Sequence, residues 1–227
     1  MIPSMSLRLT ISILTACLLS AQSAKVDWQK DFPVDKKNLG VTGSNSYFNL
    51  TPGYVLSYAH GKDTDTLTVL TETKVIDGVE TRIVEDRELK NGNLVELTRD
   101  YYAIDSQTGD IYYFGEDVDV YKNGKVVGHE GSWLSGVKGA RFGLMMPAKP
   151  KVGQKFYQEL APGVGMDRVE ILSDHDKVVT PAGTFESCIQ VVESSPLEKG
   201  LKDHKWYAAG VGQVKDAEMV LVKYGMK

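Results

Sequence analysis

The segment GEDVDVYKNGKVVGHEGSW, residues 115–133, places carboxyl side chains, a histidine and a tryptophan around a central Asn-Gly pair. A histidine beside a carboxyl group can transfer protons near neutral pH, and neighbouring carboxylates can bind a cation. Asn-Gly supplies the positive φ angles of a type I′ turn, so two strands are expected to meet at Asn123 and Gly124. The chemistry of the segment therefore depends on which side chains share a face of this hairpin.

One face of the predicted hairpin is largely apolar. A two-residue turn pairs Phe114 with Trp133 across the strands, and alternation then places Glu116 and His129 on this face as diagonal neighbours. Two interpretations remain open: a structural Glu–His pair at the rim of the sheet, or an acid/base pair or polar anchor in an apolar ligand pocket. The predicted ligand-binding residues are Tyr112, Phe114, Glu116, His129 and Trp133, together with Met145 and Met146 from the following segment.

The opposite face of the hairpin is acidic. It carries Asp117 opposite Glu130, with Asp119 on the diagonal, and like charges in these positions destabilise a sheet unless water or a cation screens them. A purely oxygen ligand set would suit Ca²⁺ rather than Zn²⁺. The alternatives are a solvated acidic face and a calcium site, and a position in mid-strand favours the solvated face.

Composition limits the classes of protein to which the chain can belong. Of its 227 residues, 42% are hydrophobic and 25% are charged, which is typical of a globular protein and argues against disorder. The formal net charge is −4, and no run of lysine and arginine forms a basic patch. Nucleic acid is therefore not an expected partner.

The N-terminus has the pattern of a targeting segment. MIPSMSLR is followed by the apolar run LTISILTACLLS and the small residues AQSA, which is the layout of a secretory signal peptide over 1–24 with cleavage near Ser23. The alternative is a lipoprotein, because LTAC resembles a lipobox that would lipidate Cys17. Both alternatives predict an extracytoplasmic protein, periplasmic or secreted, which meets the membrane only through an N-terminal lipid. The remaining cysteine, Cys188, lies in an alternating strand pattern and is expected to be a buried thiol.

Turn signals along the rest of the chain predict an all-β protein. Asp77-Gly78, the Asn-Gly pairs at 91–92 and 123–124, and the segment at 105–110 separate long alternating strands. The expected fold is an antiparallel meander that forms a strongly curved sheet or incomplete barrel. Residues 25–46 are expected to be an irregular lead-in and 47–227 a single β domain. Residues 135–151 are expected to be a long loop that caps the sheet or acts as a lid.

Several stretches resemble a group of uncharacterised bacterial secreted and envelope proteins of the type YFxLxPG…PAGTF…YAxGVG. The matching stretches are SYFNLTPGYVLSY, TPAGTFESCIQVVESSPL and WYAAGVGQVK, and similarity extends over nearly all of the chain after the signal segment. The resemblance implies an extracytoplasmic, mainly β fold, related to the half-barrels of envelope lipoprotein carriers. It implies no reaction and no catalytic residues. Asn49 stands where the group often has proline, and Val55-Leu56 lies near its usual tryptophan.

These observations favour a non-enzymatic function. We expect a secreted or envelope protein that binds a hydrophobic small molecule or an envelope partner on the concave face of the curved sheet. The alternatives are a hydrolase-like enzyme that uses Glu116 and His129, and a structural or assembly protein with an acidic cation-binding face. No nucleophile accompanies Glu116 and His129, so catalysis is the less favoured alternative, and no cofactor is expected.

Overall fold

A computed structural model describes residues 27–227, and most of this range is β-strand. The predicted signal peptide at 1–24 and the lipidation candidate Cys17 lie outside the described residues. Within residues 27–227, no helix has the length and apolarity needed to cross a membrane. The elements are a 3₁₀ turn at Lys36–Asn38 and the strands β1 Leu39–Gly40, β2 Tyr54–His60, β3 Asp63–Ile76, β4 Val79–Lys90, β5 Asn93–Asp105, β6 Ile111–Lys122, β7 Lys125–Gly128, β8 Trp133–Leu134, β9 Arg141–Met146, β10 Lys155–Tyr157, β11 Glu159–Leu160, β12 Arg168–Thr180, β13 Gly183–Ser194, β14 Asp203–Ala208, β15 Gly212–Asp216 and β16 Met219–Met226.

All sixteen strands belong to one antiparallel sheet, which confirms the predicted all-β meander and its incomplete barrel. Strands β2 to β6 pair in sequence order, and so do β12 to β16. The two series are joined where β16 pairs with β2, for example Leu221 with Tyr58. Because long twisted strands coil, the sheet curves until its two ends approach each other.

The two ends of the sheet meet at a seam that hydrogen bonds do not close. Strand β10 pairs with β12 at one end, and β11 pairs with β9 at the other. A single residue, Gln158, connects β10 to β11, so the chain itself crosses the seam. The Gln158 side chain is buried and donates a hydrogen bond to the Met145 carbonyl oxygen at 3.1 Å. Gln158 therefore ties the two edges together.

The predicted hairpin turns are confirmed. At 77–78, 91–92 and 123–124 both central residues have positive φ, with values of 49° to 52° at the first residue and 73° to 79° at the second. These are type I′ angles, and they match the right-handed twist of the flanking strands. The turn through Pro181 and Ala182, between β12 and β13, also lies where the sequence predicts it.

The prediction that residues 135–151 form a loop is wrong. Strand β9 lies within this range and pairs with β6 on one side and β11 on the other. Gly143 allows this pairing, because a Cβ at that position would overlap the Gln158 carbonyl oxygen. The short strand was hidden by the glycines and prolines around it, and the segment is part of the barrel wall rather than a lid.

The described part of the lead-in, residues 27–46, is irregular apart from the 3₁₀ turn, β1 and isolated bridges at Gln29 and Ser44, and Arg82 holds it against the sheet. The side chain of Arg82 is buried and donates to the Val41 carbonyl oxygen at 2.8 Å and to the Thr42 hydroxyl at 2.9 Å. The same guanidinium donates to the Thr71 carbonyl oxygen at 2.7 Å. Arg82 thus satisfies the backbone of a bulged stretch of β3 and of the lead-in at once.

Candidate ligand-binding cavity

The interior of the barrel contains a cavity of about 220 Å³. Alternate residues of β2, β3, β4 and β5 line it, such as Asp65, Leu67 and Val69 of β3, so one face of the sheet points into it. Residues of β13, β14 and β15 line the opposite side. The curved sheet therefore encloses this space with its concave face.

Part of the cavity wall is apolar or aromatic. Aliphatic, thioether and phenyl side chains come from several strands and from the lead-in, and five tyrosines add ring faces. These residues are Phe48, Leu56, Leu67, Val69, Val84, Met145 and Val211, with Tyr47, Tyr54, Tyr102, Tyr113 and Tyr207. Such a wall suits the apolar part of a small molecule.

The rest of the wall is acidic. Seven carboxyl groups and one ammonium group, that of Lys205, belong to the described residues that line the cavity. The acidic residues are Asp65, Asp86, Asp100, Glu159, Asp167, Glu193 and Asp216. Carboxyl groups rarely face a protein interior unless each is paired, protonated or bound to something else.

Lys205 is paired with two of these carboxyl groups. Its Nζ lies 3.1 Å from Glu193 Oε2 and 3.5 Å from Asp216 Oδ2. Burial opposes the charge on Lys205, but attraction to Glu193 and Asp216 outweighs burial and holds the Lys205 pKa well above its usual value. Lys205 is therefore a cation with its own partners, and among the described residues it forms no ion pair with the other carboxyl groups of the wall.

Asp65 and Asp86 form a carboxyl pair on the neighbouring strands β3 and β4. Burial raises the pKa of both, and the two groups are close enough to share a hydrogen bond when one of them holds a proton. One oxygen of each carboxyl, Oδ1, is buried and has no donor from the described residues. The pair is therefore driven toward sharing a proton, and its two Oδ1 atoms are the oxygens for which the described residues supply no donor.

A second acidic group forms around the Tyr113 hydroxyl. This hydroxyl donates to Asp100 Oδ1 at 2.6 Å, and both side chains are buried. Burial, reinforced by repulsion from Asp86, raises the Asp100 pKa to about 7. Glu116 lies beside the same tyrosine, and burial together with repulsion from Asp100 raises its pKa to about 8. These two groups change charge in the neutral range.

Two buried donors of the barrel have no acceptor among the described residues, and one of them belongs to a residue that lines the cavity. Tyr207 is one of the residues that line the cavity, it is only 1% exposed, and its buried hydroxyl has no partner among the described residues. The indole Nε1 of Trp133 is also buried and unpaired among the described residues. Buried hydroxyl and indole groups normally find partners, so unpaired ones beside a cavity indicate a place for a bound molecule or water.

Only some of the predicted ligand-binding residues lie at the cavity. Met145 lines the cavity, and Glu116 lies beside it next to Tyr113. Tyr112, Phe114 and Met146 are buried in the apolar core instead. Trp133 packs edge-on against Tyr113, with ring centroids 5.4 Å apart, so it supports the cavity wall from behind.

Two breaks in strand register explain this departure from the prediction: an extra residue on the return strand, between the Tyr121–Val126 and Val120–Gly128 pairs, and a bulge in β6. Glu116 pairs with Trp133 across the sheet, where a regular hairpin would pair Phe114 with Trp133. In β6, two residues lie between Tyr113 and Glu116. Only one residue lies between their partners on β5, which are Tyr102 and Asp100. Because of this bulge, the side chains of Tyr113 and Glu116 point to the same face of the sheet. Gly115 has φ 130°, and a Cβ there would overlap the Trp133 carbonyl oxygen.

His129 does not meet Glu116, contrary to the sequence-based pairing. Its ring is mostly exposed, and Nδ1 lies 2.9 Å from the Val118 carbonyl oxygen and 3.0 Å from Asp119 Oδ1. The bulged register moves the end of the hairpin away from the cavity. The acid/base pair required by the hydrolase-like alternative is therefore not formed.

Two of the three residues of the calcium hypothesis, Asp117 and Asp119, have separate partners. Asp117 forms an ion pair with Lys74 at 2.6 Å and accepts a hydrogen bond from the Tyr101 hydroxyl, while Asp119 contacts His129. Over residues 27–227, no three histidine, cysteine, aspartate or glutamate side chains are grouped closely enough to hold a metal ion. Asp117, Asp119 and Glu130 are thus not brought together as a site.

The main polar residues of the cavity were missed by sequence reasoning, although a signal was present. In β3, β4 and β5 the aspartates alternate with apolar residues of the same face, as Asp86 does with Val84 and Asp100 with Tyr102. Sorting each of these strands into its two faces would have placed acids on the concave side. The sequence could not have shown that the Tyr207 hydroxyl lacks a partner, because this depends on the position of β14 relative to β2 to β5 in the folded barrel.

Comparisons with family models, with curated proteins and with solved structures found no match to this chain.

Proposed function

We propose that this protein binds a small, partly apolar molecule inside its barrel and does so outside the cytoplasm. The cavity of about 220 Å³ carries the proposal, since it combines an apolar wall with buried polar atoms that lack protein partners. Ligand sites typically combine these two features. The N-terminal pattern at 1–24 supports the extracytoplasmic location.

Binding is favoured over catalysis and over assembly through a cation. Glu116 and His129 lie apart, so the acid/base alternative lacks its geometry. The cavity therefore defines the experiment.

The test measures, by ligand-observed NMR, the binding of a panel of small aromatic and alicyclic alcohols and amines. Binding to the wild type is compared with binding to a variant whose cavity is filled. Leu67→Trp places a bulky ring in the cavity wall and should abolish binding of every panel member that the wild type binds. Val75→Trp is the matched control, because Val75 lies on the same strand and is 70% exposed. The proposal fails if no panel member binds, or if Leu67→Trp leaves binding unchanged.

A further inference from the structure

The cavity has an excess of negative charge that the protein does not neutralise. Among the described residues that line the cavity, Lys205 supplies the ammonium group, and this group already forms ion pairs with Glu193 and Asp216. Asp65, Asp86, Asp100, Glu159 and Asp167 have no cation of their own there. A ligand that brings positive charge would supply what this wall lacks.

The unpaired atoms show which side of the cavity this charge would approach. The free oxygens of Asp65 and Asp86 can accept hydrogen bonds, and the hydroxyl oxygen of Tyr207 can accept one as well as donate one. The three residues come from β3, β4 and β14, and all of them line one cavity. An ammonium group has three donors and can bridge several such acceptors at once.

The tyrosine rings of the wall add a further attraction for an organic cation. Tyr102 and Tyr113 stack with centroids 4.8 Å apart, and both line the cavity. The face of an aromatic ring attracts ammonium groups, most strongly where water is excluded. An inorganic ion would leave the apolar part of the wall unused, and the carboxyl groups are not grouped as a metal site in residues 27–227.

From these observations we infer that the ligand is an organic ammonium ion with a compact apolar portion, held by the Asp65–Asp86 pair and the Tyr207 hydroxyl. The inference rests on the proposed function, because it names the chemical class of the ligand for the same cavity. On binding, the ammonium group takes the place of a proton shared by Asp65 and Asp86, and that proton is released to the solvent. The apolar portion lies against the side formed by Phe48, Leu67 and Met145.

The test compares probes that differ only in charge: 2-phenylethylamine with 2-phenylethanol, and cyclohexylmethylamine with cyclohexylmethanol. Isothermal titration at pH 8 should show each amine binding about tenfold or more tightly than its alcohol, since charge-assisted hydrogen bonds are the stronger kind. Asp86→Asn should bring the amine to within about threefold of the alcohol, and Tyr207→Phe should weaken the amine by about three- to tenfold.

Two controls separate the site from general effects. Glu218→Gln removes an exposed acid outside the cavity wall and should leave amine binding unchanged. Asp86→Asn should melt at the same or a higher temperature than the wild type, because it removes a buried ionisable group, so lost binding cannot be ascribed to unfolding.

The outcomes are distinct. If the alcohols bind as tightly as the amines, the charge inference is overturned while ligand binding stands. If 0.5 M NaCl abolishes amine binding and Asp86→Asn does not, the amine is attracted only to the acidic surface and the inference is likewise overturned. If no probe of either kind binds, the proposed function itself falls.

Discussion

Lys205 shows how a single residue makes an acidic interior tolerable. Its ammonium group lies between Glu193 and Asp216, and the exposed fractions of the Lys205 and Glu193 side chains are 19% and 14%. Removing one member of a buried ion pair leaves an uncompensated charge, which costs more than the pair contributes when it is intact. Lys205 therefore stabilises the fold chiefly by preventing repulsion between its two partners.

Replacing Lys205 with methionine should lower the free energy of unfolding by about 3 kcal/mol at pH 8. The loss should be smaller at pH 5, where Glu193, whose pKa burial raises, can take up a proton instead. Urea denaturation at the two pH values measures both quantities.

Lys177→Met is the matched control, because Lys177 pairs with Glu186 on the surface, where the two side chains are 59% and 63% exposed. Exposed pairs contribute little, so this change should cost less than about 1 kcal/mol. Equal losses of unfolding free energy in Lys205→Met and Lys177→Met would show that Lys205 and its two partners contribute no more than an exposed ion pair.

At the level of elements, bulges decide which side chains face the cavity. The bulge in β6 places Tyr113 and Glu116 on one face, and Arg82 satisfies the carbonyl oxygens of a bulged stretch of β3. Each bulge changes the two-residue alternation by which a sequence is divided into faces. The position of the acidic groups therefore depends on a few residues that have no chemical role themselves.

Gly115→Ala tests the bulge in β6. The added Cβ would overlap the Trp133 carbonyl oxygen, and φ at this position is 130°. The expected loss of unfolding free energy is about 3–5 kcal/mol, from overpacking combined with backbone strain. Thermal and urea unfolding measure it.

Gly92→Ala separates the two causes. Gly92 also has positive φ, at 79°, but nothing lies within 4 Å of an added Cβ. This change should cost only about 1–2 kcal/mol. A Gly115→Ala loss no larger than that of Gly92→Ala would mean that the contact with Trp133 does not constrain the bulge.

Local signals explain which elements could be predicted. Asn-Gly and Asp-Gly turns depend on two adjacent residues, and so the meander and its hairpins followed directly from the sequence. The Phe114–Trp133 pairing and the Glu116–His129 pair assumed unbroken alternation and were wrong, because a bulge depends on contacts across strands. Strand β9 was missed for a similar reason: its six residues are defined by pairing with β6 and β11 rather than by their own pattern.

For the molecule as a whole, the barrel combines an apolar core with a polar interior wall. Residues such as Phe114 and Phe156 are almost completely buried and pack in the core, whereas the concave face carries the carboxyl groups. A charged interior opposes folding through repulsion and loss of hydration. The protein relieves this by keeping protons on some of its carboxyl groups, which makes its stability depend on pH.

Stability should therefore fall as pH rises from about 5 to 8.5. The pKa values of Asp100 and Glu88 are raised to about 7 and that of Glu116 to about 8, in each case mainly by burial. Between the usual carboxyl pKa and these values the folded state binds more protons than the unfolded state, so deprotonation favours unfolding. Asp100 alone should lower the unfolding free energy by about 3 kcal/mol over this range, since one pH unit corresponds to about 1.4 kcal/mol for a single group, and Glu88 and Glu116 should add to this fall.

Asp100→Asn isolates one of these groups. The amide oxygen can still accept the hydrogen bond from the Tyr113 hydroxyl, but it cannot ionise, so the variant should be more stable than the wild type at pH 8.5 and nearly equal to it at pH 5. Urea unfolding across this range gives the slope, and Glu218→Gln, at an exposed site, should keep the wild-type slope. Two results would contradict the raised pKa values of the buried carboxyl groups. One is a wild-type unfolding free energy that rises with pH, and the other is the same pH dependence in Asp100→Asn as in Glu218→Gln. Either result would mean that the interior carboxyl groups are already ionised in the folded protein.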